Sequence, residues 1–261
     1  MAMFRVCTYN VNSIRSRREL LFMWLERSQV DVICLQETKV EERAFPFPDF
    51  EKIGYHCYVK GQRTYNGVAI CSKLPLQDVF KDTSMDILDK ESRIIGGRLG
   101  DIWLINVYFP HGDLRGTPKF TYKLAFYQQF YQFLAENFSP EDKIILLGDM
   151  NVALEDIDVY DPVLLRDTIG TMEEERSALR KILEWGFVDT FRYLYPNKVQ
   201  FTWWDYIGGA VWKDQGMRID YILVTKPLLP SVRDVYVDMW ARKRRSPKPS
   251  DHAPVVCLLE L

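Results

Sequence analysis

The segment Lys143-Ile144-Ile145-Leu146-Leu147-Gly148-Asp149-Met150-Asn151 decides how this chain is read. Its four consecutive apolar residues predict a short strand buried on both faces. The strand is expected to stop at Gly148, with a carboxylate, Asp149, and a carboxamide, Asn151, just beyond it. In α/β proteins, ligands gather at the carboxyl ends of strands, where side chains from separate strands converge. Asp and Asn also favour turns, so this segment alone leaves turn formation and chemistry equally open. The ends of the other strands decide between them.

Working outward, Met3 to Val11 alternates Phe4, Val6 and Thr8 with Arg5, Cys7 and Tyr9, a first strand closing on Asn10-Val11-Asn12. Ser16-Arg17-Arg18-Glu19 has the form of a capping box and opens a helix striped by Leu20, Leu21, Trp24 and Leu25. Asp31 to Leu35 is a second buried strand, leading into Gln36-Glu37-Thr38-Lys39. Tyr55–Lys60 and Gly67–Ser72 predict strands around a turn, and Arg93–Leu99 with Ile102–Phe109 a strand pair joined by Gly100-Asp101. Phe120–Phe138 reads as a long amphipathic helix. Thr171-Met172-Glu173-Glu174 is a second capping box, and Phe187–Tyr195 a short helix. Arg218–Val224, Val232–Met239 and Val255–Leu261 predict strands, with a basic loop at Ala241–Lys248. Strands and helices are mixed throughout, and adjacent strand pairs imply antiparallel contacts. The expectation is one α/β domain over residues 1–261, with mixed sheets rather than a doubly wound parallel one.

Composition narrows the class. The 261 residues are 47% hydrophobic and 27% charged, the balance of a globular chain with a sizeable core. Thirty-four basic against 36 acidic residues leave a net charge of -2, so a DNA-binding surface would need local clustering. The five cysteines (Cys7, Cys34, Cys57, Cys71 and Cys257) are odd in number, and none is spaced for zinc. Free buried thiols in a reducing cytoplasm are expected, without a disulfide framework. No signal peptide or membrane-spanning run is read.

Polar groups close several strands: Asn10, Glu37, Tyr108, Asp149 with Asn151, Asp220, and Asp251 with His252. If these strands lie side by side, the groups share one cleft. Carboxylates so gathered repel unless a cation neutralises them, and all-oxygen ligands suit Mg²⁺ or Mn²⁺ over zinc. A hard ion, a histidine and orienting acids form the equipment for displacement at phosphorus.

Six short motifs occur in order: Thr8-Tyr9-Asn10-Val11-Asn12, Leu35-Gln36-Glu37-Thr38-Lys39, Asn106-Val107-Tyr108-Phe109-Pro110, Gly148-Asp149-Met150-Asn151, Arg218-Ile219-Asp220-Tyr221 and Ser250-Asp251-His252-Ala253-Pro254. Together they resemble the exonuclease III family of abasic-site DNA endonucleases, in the superfamily shared with DNase I, deadenylases and inositol-phosphate phosphatases. The resemblance covers nearly the whole chain. It implies a four-layer α/β sandwich, two mixed β-sheets packed face to face and flanked by helices. It also implies a monomeric, Mg²⁺-dependent nuclease that cuts 5′ to abasic sites in duplex DNA and clears 3′ ends.

The resemblance assigns roles in turn. Glu37 would be the main metal ligand, with Asn10 and Asp251 near the ion. Asp149 would orient or deprotonate the attacking water, and Asn151 would hold that water or a phosphate oxygen. His252 would donate to the scissile phosphate with Asp220 fixing its ring, leaving open which of Asp149 and His252 handles the proton. Tyr108 would aim its hydroxyl at the phosphate or the leaving oxygen, and Lys39 would join the network. Trp203, Met217 and Ile219 would wall a pocket for a flipped-out abasic sugar. Arg244, within Arg242-Lys243-Arg244-Arg245, and the Tyr65 turn would meet DNA, and Arg15, Arg17 and Arg18 form a second basic run. His111 is an evenly balanced candidate for a phosphate contact, whereas His56 reads as structural. Many relatives carry asparagines where Leu165 and Thr168 align, a departure in the loop that would grip the abasic site. Two rivals stand beside this reading: a superfamily phosphatase or deadenylase, and a non-catalytic RNA-binding regulator on the same fold. The second is disfavoured because Glu37, Asp149, Asp220, Asp251 and His252 are all present.

Overall fold

The computed structural model describes residues 2–261. From the amino end the elements run β1 (Met3–Asn10), α1 (Ile14–Ser28), β2 (Val32–Gln36), α2 (Phe47–Lys52), β3 (His56–Lys60), β4 (Val68–Ser72), β5 (Gln77–Phe80), β6 (Ile94–Leu99) and β7 (Ile102–Tyr108). Then come α3 (Pro118–Asn137), β8 (Lys143–Asp149), α4 (Glu173–Gly186), β9 (Phe187–Asp189), α5 (Thr190–Leu194), β10 (Trp203–Trp204), β11 (Gly216–Met217), β12 (Asp220–Thr225), β13 (Val232–Val237), α6 (Met239–Arg242) and β14 (Val255–Glu260).

Two six-stranded sheets form, in the orders β13-β14-β1-β2-β4-β3 and β5-β6-β7-β8-β12-β9. Each is mixed. The pairs β1–β2 and β7–β8 are parallel, and their remaining neighbours are antiparallel. A parallel pair needs a crossover, supplied by α1 in one sheet and α3 in the other. Between the sheets, Val6, Val32, Cys34 and Ile70 meet Leu104, Ile145, Leu147 and Ile222. On the outer faces Cys7, Tyr9, Ile33 and Leu35 pack under α1 through Leu21, Trp24 and Leu25. Ile105, Ile144 and Leu146 pack under α3 and α4 through Phe126, Phe130, Leu179 and Ile182. The arrangement is four layers, helix, sheet, sheet, helix. It also explains why β8 is apolar on both faces: Ile145 and Leu147 point to the opposite sheet, and Ile144 and Leu146 point to the helices.

β8 differs from expectation at its end, continuing through Gly148 to Asp149. Gly148 has φ 148°, and a Cβ there would lie 1.9 Å from the Val107 carbonyl oxygen of the neighbouring strand. Only glycine lets β7 and β8 stay paired while both reach the cleft. Beneath that cleft the sheets are pinned by a buried polar bridge. Gln36 Nε2 donates to Asn106 Oδ1 at 2.8 Å, and Asn106 Nδ2 donates to the carbonyls of Leu35 and Ala69.

Several local expectations are corrected. Helix α1 starts at Ile14 because Ser13, not Ser16, caps it, accepting the Ser16 N–H. In α4 the acid that reaches back is Glu175, which accepts the Met172 N–H. Phe187–Asp189 pair with the edge of β12, so only Thr190–Leu194 are helical. Strand β5 was not anticipated, and the basic loop begins inside α6. Cys57 and Cys71, expected as free thiols, face each other directly across β3–β4 and form a disulfide. Register, which the spacing of the cysteines does not reveal, brings them together. Cys7, Cys34 and Cys257 are free and buried. No helix among the described residues is long and apolar enough to cross a membrane.

Candidate active site

The carboxyl ends of β1, β2, β7 and β8 open on one cleft of ≈ 370 Å³. Its lining includes Glu37, Lys39, Tyr108, Asp149, Asn151, Trp203, Met217, Ile219, Asp251 and His252. Asp149 is held from three sides. Its Oδ2 accepts from Asn10 Nδ2 at 2.9 Å, its Oδ1 accepts the Asn151 N–H at 3.0 Å, and His252 Nε2 stands 3.6 Å from Oδ2. Asn151 adopts a left-handed φ of 51°, which turns the chain back under the cleft, and its Nδ2 donates to the Phe109 carbonyl at 2.7 Å. Asp220, paired in register with Asp149 across β12–β8, sits 2.8 Å from His252 Nδ1. Burial pushes the Asp149 carboxyl well above the usual carboxylate range, and Asp220 pushes in the same direction. Burial opposes the imidazolium of His252, but the Asp220 and Asp149 carboxylates outweigh it and raise its pKa. Asp149 and His252, 3.6 Å apart, therefore influence each other's protonation on the cleft floor.

A second cluster lies on the β2 side. Tyr108, nearly buried, donates its hydroxyl to Glu37 Oε1 at 2.9 Å, and the Arg93 guanidinium lies 4.9 Å over its ring. Burial, with Glu37 and Asp149 nearby, raises its phenol pKa well above the usual value, so the group is a hydrogen-bond donor at neutral pH. Asp251 accepts from Asn12 Nδ2 at 3.1 Å and from Trp203 Nε1 at 3.0 Å. Burial works against its charge, but His252 and these donors win, and its pKa is lowered. Lys39 Nζ donates to Asn12 Oδ1 at 2.7 Å and lies 3.9 Å from Glu37 Oε1.

These donors can hold a metal ion. Glu37, the side-chain Oδ1 of Asn12 and Asp251 offer an all-oxygen set of the kind a hard divalent ion takes. The Lys39 ammonium already bridges two of them, which marks the place as one that attracts positive charge. Ligand-capable atoms of Asp149, Asp220 and His252 also lie within 4.8 Å of one another. Both ring nitrogens of His252 face carboxylates there, a geometry that suits proton handling as well as metal binding.

Not every anticipated residue is presented to the cleft. Asn10 is fully buried below the floor, its Nδ2 donating to Asp149 Oδ2 and its Oδ1 accepting the Asn12 N–H. Tyr65 is exposed on its turn, and Arg244 stacks 4.3 Å over Trp240, so neither lines the cleft. Arg17 and Arg242 are buried, donating to the Lys248 and Trp204 carbonyls respectively. Of the two tryptophans, Trp203 lines the cleft and Trp204 is wholly core. His111 reaches the cleft rim, whereas His56 is exposed on β3, away from it. Asn12, Ile169 and Gly170 line the cleft without having been singled out. Asn12 was visible inside the first motif, but Ile169 and Gly170 lie in a segment with no periodicity to flag them. Leu165 packs against Met217, Ile219, Val159 and Ala153 and so extends the apolar wall, while the Thr168 hydroxyl is spent on the Leu165 carbonyl.

Fold and site together define a four-layer α/β protein whose cleft sets buried carboxylates and a histidine at converging strand ends. The chain belongs to the endonuclease/exonuclease/phosphatase family, which matches residues 7–252. An exodeoxyribonuclease III from Haemophilus influenzae is 34% identical over 260 residues, 95% of this chain and 97% of its own. The structure of an AP endonuclease from Archaeoglobus fulgidus superposes with a TM-score of 0.95 at 39% identity, covering 99% of this chain and 100% of that one. A Neisseria 3′ phosphatase bound to a product DNA hairpin superposes with a TM-score of 0.93 at 33% identity, over 99% and 100% of the two chains.

Proposed function

We propose that this chain is a Mg²⁺-dependent DNA repair nuclease that hydrolyses the phosphodiester 5′ to abasic sites in duplex DNA. The same site would trim 3′ ends by exonuclease and phosphatase action. The observation that carries this reading is the convergence of two polar clusters, Asp149–His252–Asp220 and Glu37–Tyr108, on one cleft beside an apolar wall. Relatives that act as AP endonuclease, exodeoxyribonuclease and 3′ phosphatase support it.

Asp149 would take a proton from water, and Asn151 would hold that water or a phosphate oxygen. The water oxygen bonds to phosphorus as its proton passes to Asp149, the P–O3′ bond breaks, and the departing 3′ oxygen takes a proton from solvent. His252 donates to the phosphate, with Asp220 holding the opposite ring nitrogen. Tyr108 directs its hydroxyl toward the same developing charge. Glu37 and Asp251, with Asn12, would hold the ion, which when bound neutralises phosphate charge. Trp203, Met217 and Ile219 would accept a bare sugar and exclude one carrying a base. The exposed Lys243, Arg245 and Lys248, in the loop that leads to Asp251 and His252, would meet DNA phosphates.

The test is a gel assay on a duplex with one synthetic abasic site, beside a duplex ending in a 3′-phosphate, with and without chelator. Cleavage at the abasic site that chelator abolishes is the expected result. Binding of nucleic acid with no cleavage of either substrate under saturating Mg²⁺ would overturn the reading.

A further inference from the structure

Behind the cleft, on residues that do not line it, lies a fully buried ion pair between Lys123 of α3 and Glu175 of α4. An ammonium has three N–H donors. Lys123 directs them to the His111 carbonyl at 3.1 Å, the Asn151 carbonyl at 2.7 Å and Glu175 Oε2. The other carboxylate oxygen of Glu175 accepts the Gly170 N–H at 2.9 Å and the Met172 N–H at 3.1 Å. His111, Asn151 and Gly170 all line the cleft, and they come from three separate loops. One charge pair therefore ties together the loop after β7, the exit of β8 and the loop before α4.

Stability alone does not call for such a pair. Removing two charges from water is costly, and apolar residues of equal volume are often as stable or more so. Apolar contacts, however, are non-directional, whereas each hydrogen bond of this pair fixes a backbone carbonyl or N–H at a set angle. Asn151 gains most from this. Its left-handed backbone is held by Lys123 at its carbonyl and by Asp149 at its N–H.

We propose that Lys123 and Glu175 are positioning residues for hydrolysis, fixing Asn151 and the His111 and Gly170 loops relative to Asp149. The proposal rests on the nuclease reading above. Its test is the double variant Lys123→Met with Glu175→Gln. This removes both charges, keeps the volume, and retains an oxygen at 175 to accept the Gly170 and Met172 N–H groups. Single-turnover cleavage of the abasic duplex is measured at saturating enzyme, and duplex affinity is measured in chelator. The amplitude of the time course reports the folded fraction, and its rate constant reports the geometry. The rate constant should fall by about 100-fold, the cost of an error of about 1 Å in a reacting group, with Kd changed less than about threefold.

An unchanged rate constant, with loss only in amplitude or Tm, would overturn the proposal and leave the pair as structural support. If the double variant does not fold, Glu175→Gln alone is read instead: about a tenfold slower rate supports the proposal, and a wild-type rate sinks it. If the unaltered protein cuts nothing, the nuclease reading itself fails, a different result from an active wild type matched by its variant.

Discussion

The floor and the wall of the cleft are built on opposite principles. On the floor, Asp149, Asp220 and His252 are buried titratable groups, each fixed by specific partners. The wall of Met217 and Ile219 is apolar, backed by Val159, Ala153 and Leu165 and holding its shape by packing. Arg218, between Met217 and Ile219, turns away to a buried network with Asp158 and Asp189. The difference separates two tasks. On the proposed function, a floor of this kind would act on a phosphoester whatever the ester carries, and the wall would decide which nucleotide can approach.

Substitutions on the two surfaces should therefore fail differently. Asp149→Asn should have the largest effect, reducing turnover by about 10³-fold or more while DNA affinity is retained, as checked by rapid-quench cleavage and binding anisotropy. Loss of binding instead would mean that Asp149 only supports the fold. Glu37→Ala should raise the Mg²⁺ concentration for half-maximal activity by at least about tenfold, with much of the rate regained at high metal. A metal titration that superimposes on wild type would remove Glu37 from the ion.

Asp220→Asn tests the electrostatics of the floor. Asp220 stabilises the charged imidazole of His252, so neutralising it must lower the histidine pKa. If protonated His252 donates to the phosphate, the alkaline limb of the kcat/KM profile moves to lower pH. A limb that stays in place would assign that ionisation to another group. On the wall, Met217→Ala should leave 3′-phosphate removal near wild type. It should narrow the preference for abasic over intact duplex by about tenfold, seen in paired kcat/KM values. Equal losses on both substrates would make the wall part of the floor.

The floor was far more legible in the sequence than the wall. Asn10, Tyr108 and Asp149 each end a strand, Glu37 directly follows one and Asp220 opens one, and hydrophobic runs mark strand ends well. Which strands adjoin was not legible, because register is set by pairing between distant segments: Asp220 opposite Asp149, or Cys57 opposite Cys71. Asn10 could be placed at the right strand end but not assigned its partners, since a carboxamide at that point can face either a ligand or another side chain. The wall draws on an irregular segment around Leu165 and Gly170, where no period exists to read. Nothing in the sequence separates Lys123 and Glu175 from the polar residues of exposed helix faces; packing of α3 against α4 buries them.

The missing methyl at Gly148 carries a consequence for the history of such a chain. Alanine, the smallest possible replacement, would collide with the Val107 carbonyl and part the two strands that deliver Tyr108 and Asp149. A lineage could exchange nearly every neighbouring hydrophobe for another and keep working. At 148 it has no alternative letter to try, so drift there is closed.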